Sequence, residues 1–348
     1  MKIYNKNISV NHPPFIIAEI SANHNNSLKR TIKLVKEAKK AGADAIKLQT
    51  YKAESLTLNS RKPQFVINDK KSLWFKKSLF DLYKKGALPT GYYKEIFKEA
   101  KKNDIICFST PFDEDSVDFL SEFKVPAFKI ASFENNHFPL IEKVISKKKP
   151  LIISLGATTY NEILYLYKFL KNKKFNNFAF LQCTSSYPAR IEESNIKTIV
   201  DLRKKFKIEI GLSDHTPGIG AAISAISYGA SIIEKHFTLD KTAGGLDDIF
   251  SMDPDDFNLL VKEAKNAWLS LGKVYYGLTQ SEQRHKNFKR SIYVKKDIKK
   301  GELFSEKNLK VIRPSYGLEP KYYKKILGKV AKRNLNYASP LKKKDISS

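Results

Sequence analysis

The chain has 348 residues, of which 42% are hydrophobic, and its formal net charge is +27 at pH 7. This length suits one large α/β barrel with an added segment, or two domains, and the apolar content suffices for a sizeable core. No apolar run reaches membrane-spanning length and no apolar signal segment opens the chain, so we expect a cytoplasmic protein with no membrane partner. The lysines are spread along the sequence rather than gathered on one helix, so we expect no specific nucleic-acid partner.

Short β-rich runs alternate with helical stretches along most of the chain. The predicted strands cover 15–20, 44–49, 105–109, 127–131, 150–154, 178–183, 208–212 and 231–233. Helical patterns over 28–41, 92–102, 218–228 and 255–271 lie between or after them, and a long polar insertion occupies 51–88. Eight alternating units predict an α/β fold of the (β/α)8 TIM barrel type, with a doubly wound sheet as the structural alternative.

Two triplets at the ends of the last two strands are the strongest chemical signal. They read Ser213-Asp214-His215 and Glu234-Lys235-His236. Residues i and i+2 of a strand share a face, and parallel strands of a βαβ unit end at the same edge of the sheet. The pattern therefore brings two imidazoles, a carboxylate and a hydroxyl together. We expect His215 and His236 to bind a divalent metal, and an open, partly hydrated site suits Mn²⁺, Mg²⁺ or Co²⁺.

The other strand ends also carry polar residues, at the barrel face where active sites lie. Lys47 and Lys129 each lie within or next to an apolar run, where an ammonium group is costly to bury without an anionic partner. With hydroxyl groups nearby, that partner is expected to be a phosphate or a carboxylate. The remaining strand-end candidates are Glu19, Gln49, Thr110, Ser132, Ser154, Thr184 and Ser185.

The C-terminal part differs in character from the barrel pattern. We expect the barrel to cover residues 1–275, a polar linker to cover 276–286, and a small domain to cover 287–348. Strand patterns occur near 291–294 and 309–314 in this last part. A domain of this size has a marginal core, so docking onto a barrel is expected.

Seven segments carry a resemblance to a known family: 15–25, 43–51, 108–113, 129–132, 182–188, 211–216 and 233–239. On these residues the chain resembles the nonulosonic acid synthases, the sialic acid synthase family. The resemblance implies a barrel followed by a C-terminal antifreeze-like (SAF) domain. It also implies a domain-swapped homodimer, in which Arg313 of one subunit enters the site of the other.

Within this family the chain is similar to the pseudaminic acid subgroup, on the loop 244–247, the segment 79–83 and the tract 184–187. This implies condensation of phosphoenolpyruvate with the aldehyde of an open-chain 2,4-diacetamido-2,4,6-trideoxy hexose, giving pseudaminic acid and phosphate. One alternative is a sialic or legionaminic acid synthase using N-acetylmannosamine or a 2,4-diacetamido mannose. Another, of a different class, is a non-catalytic sugar-binding or antifreeze-like protein.

The resemblance also implies roles for the strand-end residues. Phosphoenolpyruvate would contact Lys47, Thr110, Lys129, Ser132, Ser154, Ser185 and Ser213. The sugar would contact Gln49, Tyr187, Asp247 and Arg313. Glu19 and Glu234 would move protons, and the metal on His215 and His236 would polarise the sugar aldehyde.

Overall fold

The computed structural model describes residues 1–70 and 72–347, so residue 71 of the insertion and residue 348 of the C-terminal domain lie outside the described part. The described chain divides into two compact units, residues 1–272 and residues 273–348. Each unit is considered by itself below.

The first unit is built around a closed barrel of eight parallel strands, which confirms the predicted architecture. A two-stranded hairpin precedes it, formed by β1 (Lys2–Ile3) and β2 (Lys6–Asn7). The barrel strands are β3 (Phe15–Glu19), β4 (Ala45–Thr50), β5 (Ile106–Pro111), β6 (Phe128–Ile130), β7 (Leu151–Ser154), β8 (Phe178–Cys183), β9 (Glu209–Asp214) and β10 (Ile232–His236). β10 pairs with both β9 and β3, and this pairing closes the cylinder.

Helices cover the outside of the barrel. They begin where side chains can cap free backbone N–H groups: Ser27, Asp113 and Thr159 each accept from the N–H group three residues on. The helices of this unit are α1 (Leu28–Lys40), α2 (Ala53–Leu56), α3 (Leu79–Gly86), α4 (Tyr93–Lys102), α5 (Glu114–Glu122), α6 (Phe138–Ser146), α7 (Tyr160–Asn172), α8 (Thr198–Phe206), α9 (Gly220–Ser227) and α10 (Pro254–Leu271). In the described part of the chain, none of the helices is both long and apolar enough to span a membrane.

Two apolar cores follow from the alternation of side chains along each strand. Outward-facing residues such as Ile46 and Phe180 pack against the helices. Inward-facing residues such as Ile17 and Ile152 fill the barrel interior, together with Ile3 and Ile8 of the N-terminal segment. A Cβ atom at Gly211 would lie 2.6 Å from Leu181 Cδ2, so glycine is required for this interior packing. Because one end of the cylinder is filled, the opposite end, where the strands terminate, is left for polar side chains.

The second unit has its own small core, formed around residues such as Ile292, Phe304 and Leu341. Its elements are α11 (Gln280–Gln283), β11 (Ser291–Val294), β12 (Leu309–Ile312) and α12 (Tyr323–Ile326), and the two strands pair antiparallel. The two predicted strands are therefore present. The predicted linker contains the short helix α11, which a Thr279–Glu282 capping box stabilises.

Candidate active site

Seven buried polar side chains form one layer at the carboxyl end of the barrel. The strand period explains this layer, because its members stand two residues beyond apolar or small residues that face the interior. This polar layer consists of Glu19, Lys47, Thr110, Lys129, Ser154, Ser213 and Glu234. All seven are residues that the sequence singles out.

Two lysines and two glutamates pair within the polar layer. Lys47 forms an ion pair with Glu19, and its Nζ atom donates to Thr110 Oγ1 at 3.1 Å. Lys129 Nζ, from another part of the barrel wall, donates to Glu234 Oε1 at 3.2 Å and to Ser154 Oγ at 2.7 Å. The Lys129–Glu234 contact crosses the barrel interior, whereas Lys47 and Glu19 lie on neighbouring strands, so each buried charge has an opposite charge within reach.

Glu234 is the centre of this network. Its Oε1 atom also accepts from Ser213 Oγ at 3.2 Å and lies 3.8 Å from Lys47 Nζ. Its Oε2 atom is buried and has no hydrogen-bond partner among the described residues. A buried carboxylate oxygen without a partner indicates that a ligand or water completes the site.

The environment shifts the pKa values of the two glutamates in opposite directions. Burial, reinforced by the charge of Glu234, raises the pKa of Glu19 despite the attraction of Lys47. Burial also opposes ionisation of Glu234, but Lys129 and Lys47 outweigh it and the pKa of Glu234 is lowered. Because their pKa values are shifted apart, Glu19 suits the role of a proton donor and Glu234 the role of a permanent anion.

The pKa values of the two lysines are also shifted in opposite directions. Burial lowers the pKa of Lys129, and the attraction of Glu234 offsets this only in part. At Lys47 the charges of Glu19 and Glu234 outweigh burial, so its pKa is raised. Lys47 is therefore a fixed cation, whereas Lys129 gains most from an additional anion in the site.

A hydroxyl-lined cradle adjoins Lys129 and Ser154. Ser132 Oγ accepts from the N–H group of Gly156 at 3.1 Å. A Cβ atom at Gly156 would clash with the Oγ atoms of both Ser132 and Ser185. Glycine at this position leaves room between the two hydroxyl groups, which are donors that can bind phosphate oxygens.

A second network lies on the Glu19 side of the layer. Gln49 Nε2 donates to Ser21 Oγ at 2.9 Å and to Glu19 Oε1 at 3.3 Å. Ser21 Oγ in turn donates to Asp247 Oδ2 at 2.5 Å. Burial raises the pKa of Asp247, and the hydrogen bond from Ser21 counteracts this. The structure therefore brings Gln49 and Asp247 together through Ser21, a residue that sequence reasoning missed.

The two imidazoles lie above the polar layer, with ring centroids 5.4 Å apart. His215 Nδ1 donates to the carbonyl oxygen of Thr184 at 2.9 Å, so in the neutral ring Nε2 is the nitrogen that carries the lone pair. Burial lowers the pKa of His236 well below its ordinary value. His236 is thus neutral at pH 7, the form that binds a metal.

The donor set fits a divalent metal with an incomplete protein shell. His236 Nδ1 is buried without a hydrogen-bond partner within residues 1–70 and 72–347. In the same described ranges, no group of three or more His, Cys, Asp or Glu side chains is arranged to hold a metal ion. Two imidazoles would therefore share the ion with water or substrate oxygens, as in an open site.

The remaining candidates are distributed as follows. Tyr187 packs with its ring centroid 4.3 Å from that of His215. The side chain of Thr184 donates to Glu193 O, and only its backbone carbonyl contacts His215. Arg313 is exposed next to β12 in the second unit.

Glu134 is a further acidic residue that sequence reasoning missed. It lies on the 3-10 turn Ser132–Glu134, directly after β6, and its Oε2 atom is buried without a hydrogen-bond partner in the described chain. Burial raises its pKa to about 7, and the charge of Lys129 lowers it only in part. Its position two residues after Ser132 was the available signal, but nothing in the local pattern distinguishes it from a solvated turn residue.

Comparison with known proteins shows the family. The NeuB family model matches residues 34–276, and the SAF domain model matches residues 289–347. The chain belongs to the NeuB family. The resemblance seen in the sequence is thereby confirmed, and so is the combination of a parallel barrel with a C-terminal SAF domain.

Individual NeuB family members resemble the chain over most of its length. A pseudaminic acid synthase of Campylobacter jejuni is 45% identical, and the alignment covers 97% of this chain and 98% of that protein. An N,N'-diacetyllegionaminic acid synthase of the same species is 38% identical over 92% and 96%. The crystal structure of a sialic acid synthetase from Leptospira borgpetersenii superposes with a TM-score of 0.73 at 31% identity, covering 82% of this chain and 94% of that one.

Proposed function

We propose that the protein condenses phosphoenolpyruvate with the aldehyde of a 2,4-diacetamido-2,4,6-trideoxy hexose, giving pseudaminic acid and phosphate. The observation that carries this proposal is the polar layer with its two buried lysines, lying beneath two imidazoles. The higher identity to the pseudaminic acid synthase than to the legionaminic acid synthase supports the choice of sugar.

Phosphoenolpyruvate carries a phosphate and a carboxylate, and the site offers cationic and hydroxyl donors for both. The phosphate would contact the cradle of Ser132, Ser154 and Ser185 beside Lys129. The carboxylate would contact Lys47, Thr110 and Ser213 on the other side of the layer. Charge-assisted hydrogen bonds of this kind are stronger than neutral ones and hold the reacting C3 carbon in position.

The sugar would occupy the side of Gln49, Tyr187 and Asp247. Their amide, phenol and carboxyl groups provide donors and acceptors for hydroxyl and acetamido substituents. A divalent ion, Mn²⁺, Mg²⁺ or Co²⁺, would be held by His215 and His236. When bound, such an ion acts as a Lewis acid that polarises the carbonyl of the sugar aldehyde.

The reaction forms one carbon–carbon bond and replaces the phosphate oxygen on C2 with the oxygen of water. C3 of phosphoenolpyruvate attacks the aldehyde carbon, and the aldehyde oxygen takes up a proton. Water then adds at C2 and loses a proton, after which the C2–O bond to phosphate breaks and leaves the 2-keto acid. Glu19, with its raised pKa, suits the proton donor, and Glu234 suits the anion that stabilises positive charge at C2.

The resemblance to the family further suggests a homodimer that exchanges its C-terminal domains. Under this proposal Arg313 of one subunit contacts the sugar in the site of its partner. Both cysteines are free, which supports action in the reducing cytoplasm.

The test measures phosphate release from phosphoenolpyruvate with three sugars in turn, in the presence of Mn²⁺. We expect release with the diacetamido-trideoxy altrose, in equal amount to the keto acid formed. Release only with the 2,4-diacetamido mannose would assign legionaminic acid synthesis, and release only with N-acetylmannosamine would assign sialic acid synthesis. No release with any of them would favour a non-catalytic sugar-binding protein.

A further inference from the structure

Two distant segments of the chain meet at the rim of the site. The polar insertion carries Trp74, whose Nε1 atom donates to the carbonyl oxygen of Leu246 at 3.3 Å. A Cβ atom at Gly86 would lie 3.3 Å from Leu246 Cδ1, so the end of the insertion also packs on this side chain. The insertion and the loop after β10 therefore form one continuous part of the rim.

Three aromatic rings line this part of the rim, and we call them the aromatic wall: Trp74, Tyr187 and Phe250. The Tyr187 ring centroid lies 6.3 Å from that of Trp74 and 5.4 Å from that of Phe250. The Phe250 centroid lies 5.0 Å from that of His236. All three rings are only partly buried, and two of them, Tyr187 and Phe250, contact the imidazoles.

A cavity of about 330 Å³ adjoins the aromatic wall. Phe250, Leu73, Pro188 and Ile249 contribute its apolar lining. The exposed faces of the three rings attract methyl groups and offer no hydrogen-bond partner to a hydroxyl group placed against them. The cavity also carries the charged side chains of Lys241 and Asp256, so the apolar surface next to the imidazoles is the aromatic wall itself.

We propose that the aromatic wall selects the sugar, favouring a hexose whose hydroxyls are replaced by methyl and acetamido groups. This proposal rests on the proposed function. The methyl of the deoxy carbon and those of the acetamido groups would pack against Trp74 and Phe250. A hydroxyl at the same place would lose its hydrogen bonds to water without replacement, which reduces the reaction of more hydroxylated sugars.

The chain offers a matched control, because it contains two tryptophans. Trp268 on α10 is also partly buried, and its Nε1 atom likewise donates to a carbonyl oxygen, that of Val10 at 2.9 Å. It packs against the outer core of the barrel, away from the polar layer. Trp74→Ala and Trp268→Ala therefore remove the same side chain with a similar contact, from inside and outside the wall.

The experiment compares kcat/KM for the diacetamido-trideoxy hexose with kcat/KM for N-acetylmannosamine. In Trp74→Ala and Phe250→Ala we expect this ratio to fall by about 10- to 100-fold, the range typical for lost apolar contacts in a pocket. The KM for phosphoenolpyruvate should stay within about twofold, because the wall does not touch the anion cradle. In Trp268→Ala the ratio should equal that of the unmodified protein.

An unchanged ratio in both Trp74→Ala and Phe250→Ala would overturn the proposal. Should either variant fail to bind phosphoenolpyruvate in a thermal-shift assay, Phe250→Tyr keeps the size of the ring and adds a hydroxyl group to the wall. The ratio should then fall, and an unchanged ratio would overturn the proposal. If the unmodified protein releases no phosphate with the diacetamido sugar, the proposed function fails. If the unmodified protein is active but its wall variants keep the kcat/KM ratio, only the proposal on the aromatic wall fails.

Discussion

Glu234→Gln removes one negative charge from the polar layer and keeps the shape of the side chain. In the unmodified site, two lysines face two glutamates, and Glu234 lies within 3.2 Å of Lys129 Nζ and 3.8 Å of Lys47 Nζ. The substitution leaves both ammonium groups buried with only Glu19 as a carboxylate partner. We expect the ligand-free protein to be less stable and to bind phosphoenolpyruvate more tightly.

The distances give the size of the effect. At an effective dielectric constant of about 20, charges at these two separations attract by about 5 and about 4 kcal/mol. Lys129 can lose its proton in the variant, since its pKa is already lowered, and this limits the cost. Breaking a buried ion pair in this way costs roughly 3–5 kcal/mol of unfolding free energy. An incoming trianion restores the missing negative charge, and a tenfold tighter Kd corresponds to about 1.4 kcal/mol.

Thermal unfolding with and without phosphoenolpyruvate, in the presence of EDTA, measures both effects. Asp214→Asn is the matched control, because Asp214 pairs with buried Lys235 at 2.8 Å but belongs to the opposite face of β9. Both variants should melt at lower temperature than the unmodified protein. Only Glu234→Gln should be stabilised more by phosphoenolpyruvate than the unmodified protein is. Equal stabilisation of both variants, or an undiminished Tm for Glu234→Gln, would refute the reasoning.

Three further predictions follow from the site. Burial raises the pKa of Glu134 to about 7, so this carboxyl group holds its proton more strongly in the folded protein than in the unfolded chain. The unmodified protein therefore loses stability as pH increases from about 5 to 8, and the Tm of Glu134→Gln should rise relative to it. A constant difference in Tm would contradict this. EDTA, or His236→Ala, should abolish phosphate release but leave phosphoenolpyruvate binding by calorimetry intact, since the lysines bind the anion; loss of both would tie the anion site to the metal. If Arg313 acts in the partner's site, mixing the inactive Arg313→Ala and His236→Ala proteins should restore about a quarter of native activity. Half of the dimers are then mixed, and each mixed dimer contains one native site. No recovery of activity would exclude the exchange of C-terminal domains between subunits.

Strand periodicity was sufficient to predict which residues share the barrel interior. The side chains of Glu19, Lys47 and Lys129 face inward because each stands at an even spacing from an inward apolar residue. The same rule places Ser213 with His215 and Glu234 with His236 on the inward faces of β9 and β10, and the structure makes Ser213 and Glu234 register partners. This rule depends only on spacing within a strand, so it needs no knowledge of how the strands pair.

Contacts across the barrel and contacts made by loops could not be predicted from the sequence. The Lys129–Glu234 ion pair joins β6 to β10, and no local pattern fixes which side chains meet across the interior. The sequence of the insertion predicts only a polar segment, yet Trp74 of this insertion donates a hydrogen bond to Leu246 in the loop after β10. Side chains on loops have no periodicity, so their positions depend on tertiary packing alone.

A crystal structure grown with Mn²⁺ and phosphoenolpyruvate tests the central claim most directly. Anomalous scattering should locate the ion within about 2.2 Å of a nitrogen atom of both His215 and His236. The same crystal should show the phosphate and carboxylate of the ligand within hydrogen-bond distance of Lys129 and Lys47. An ion bound elsewhere, or an anion that contacts neither lysine, would contradict the account.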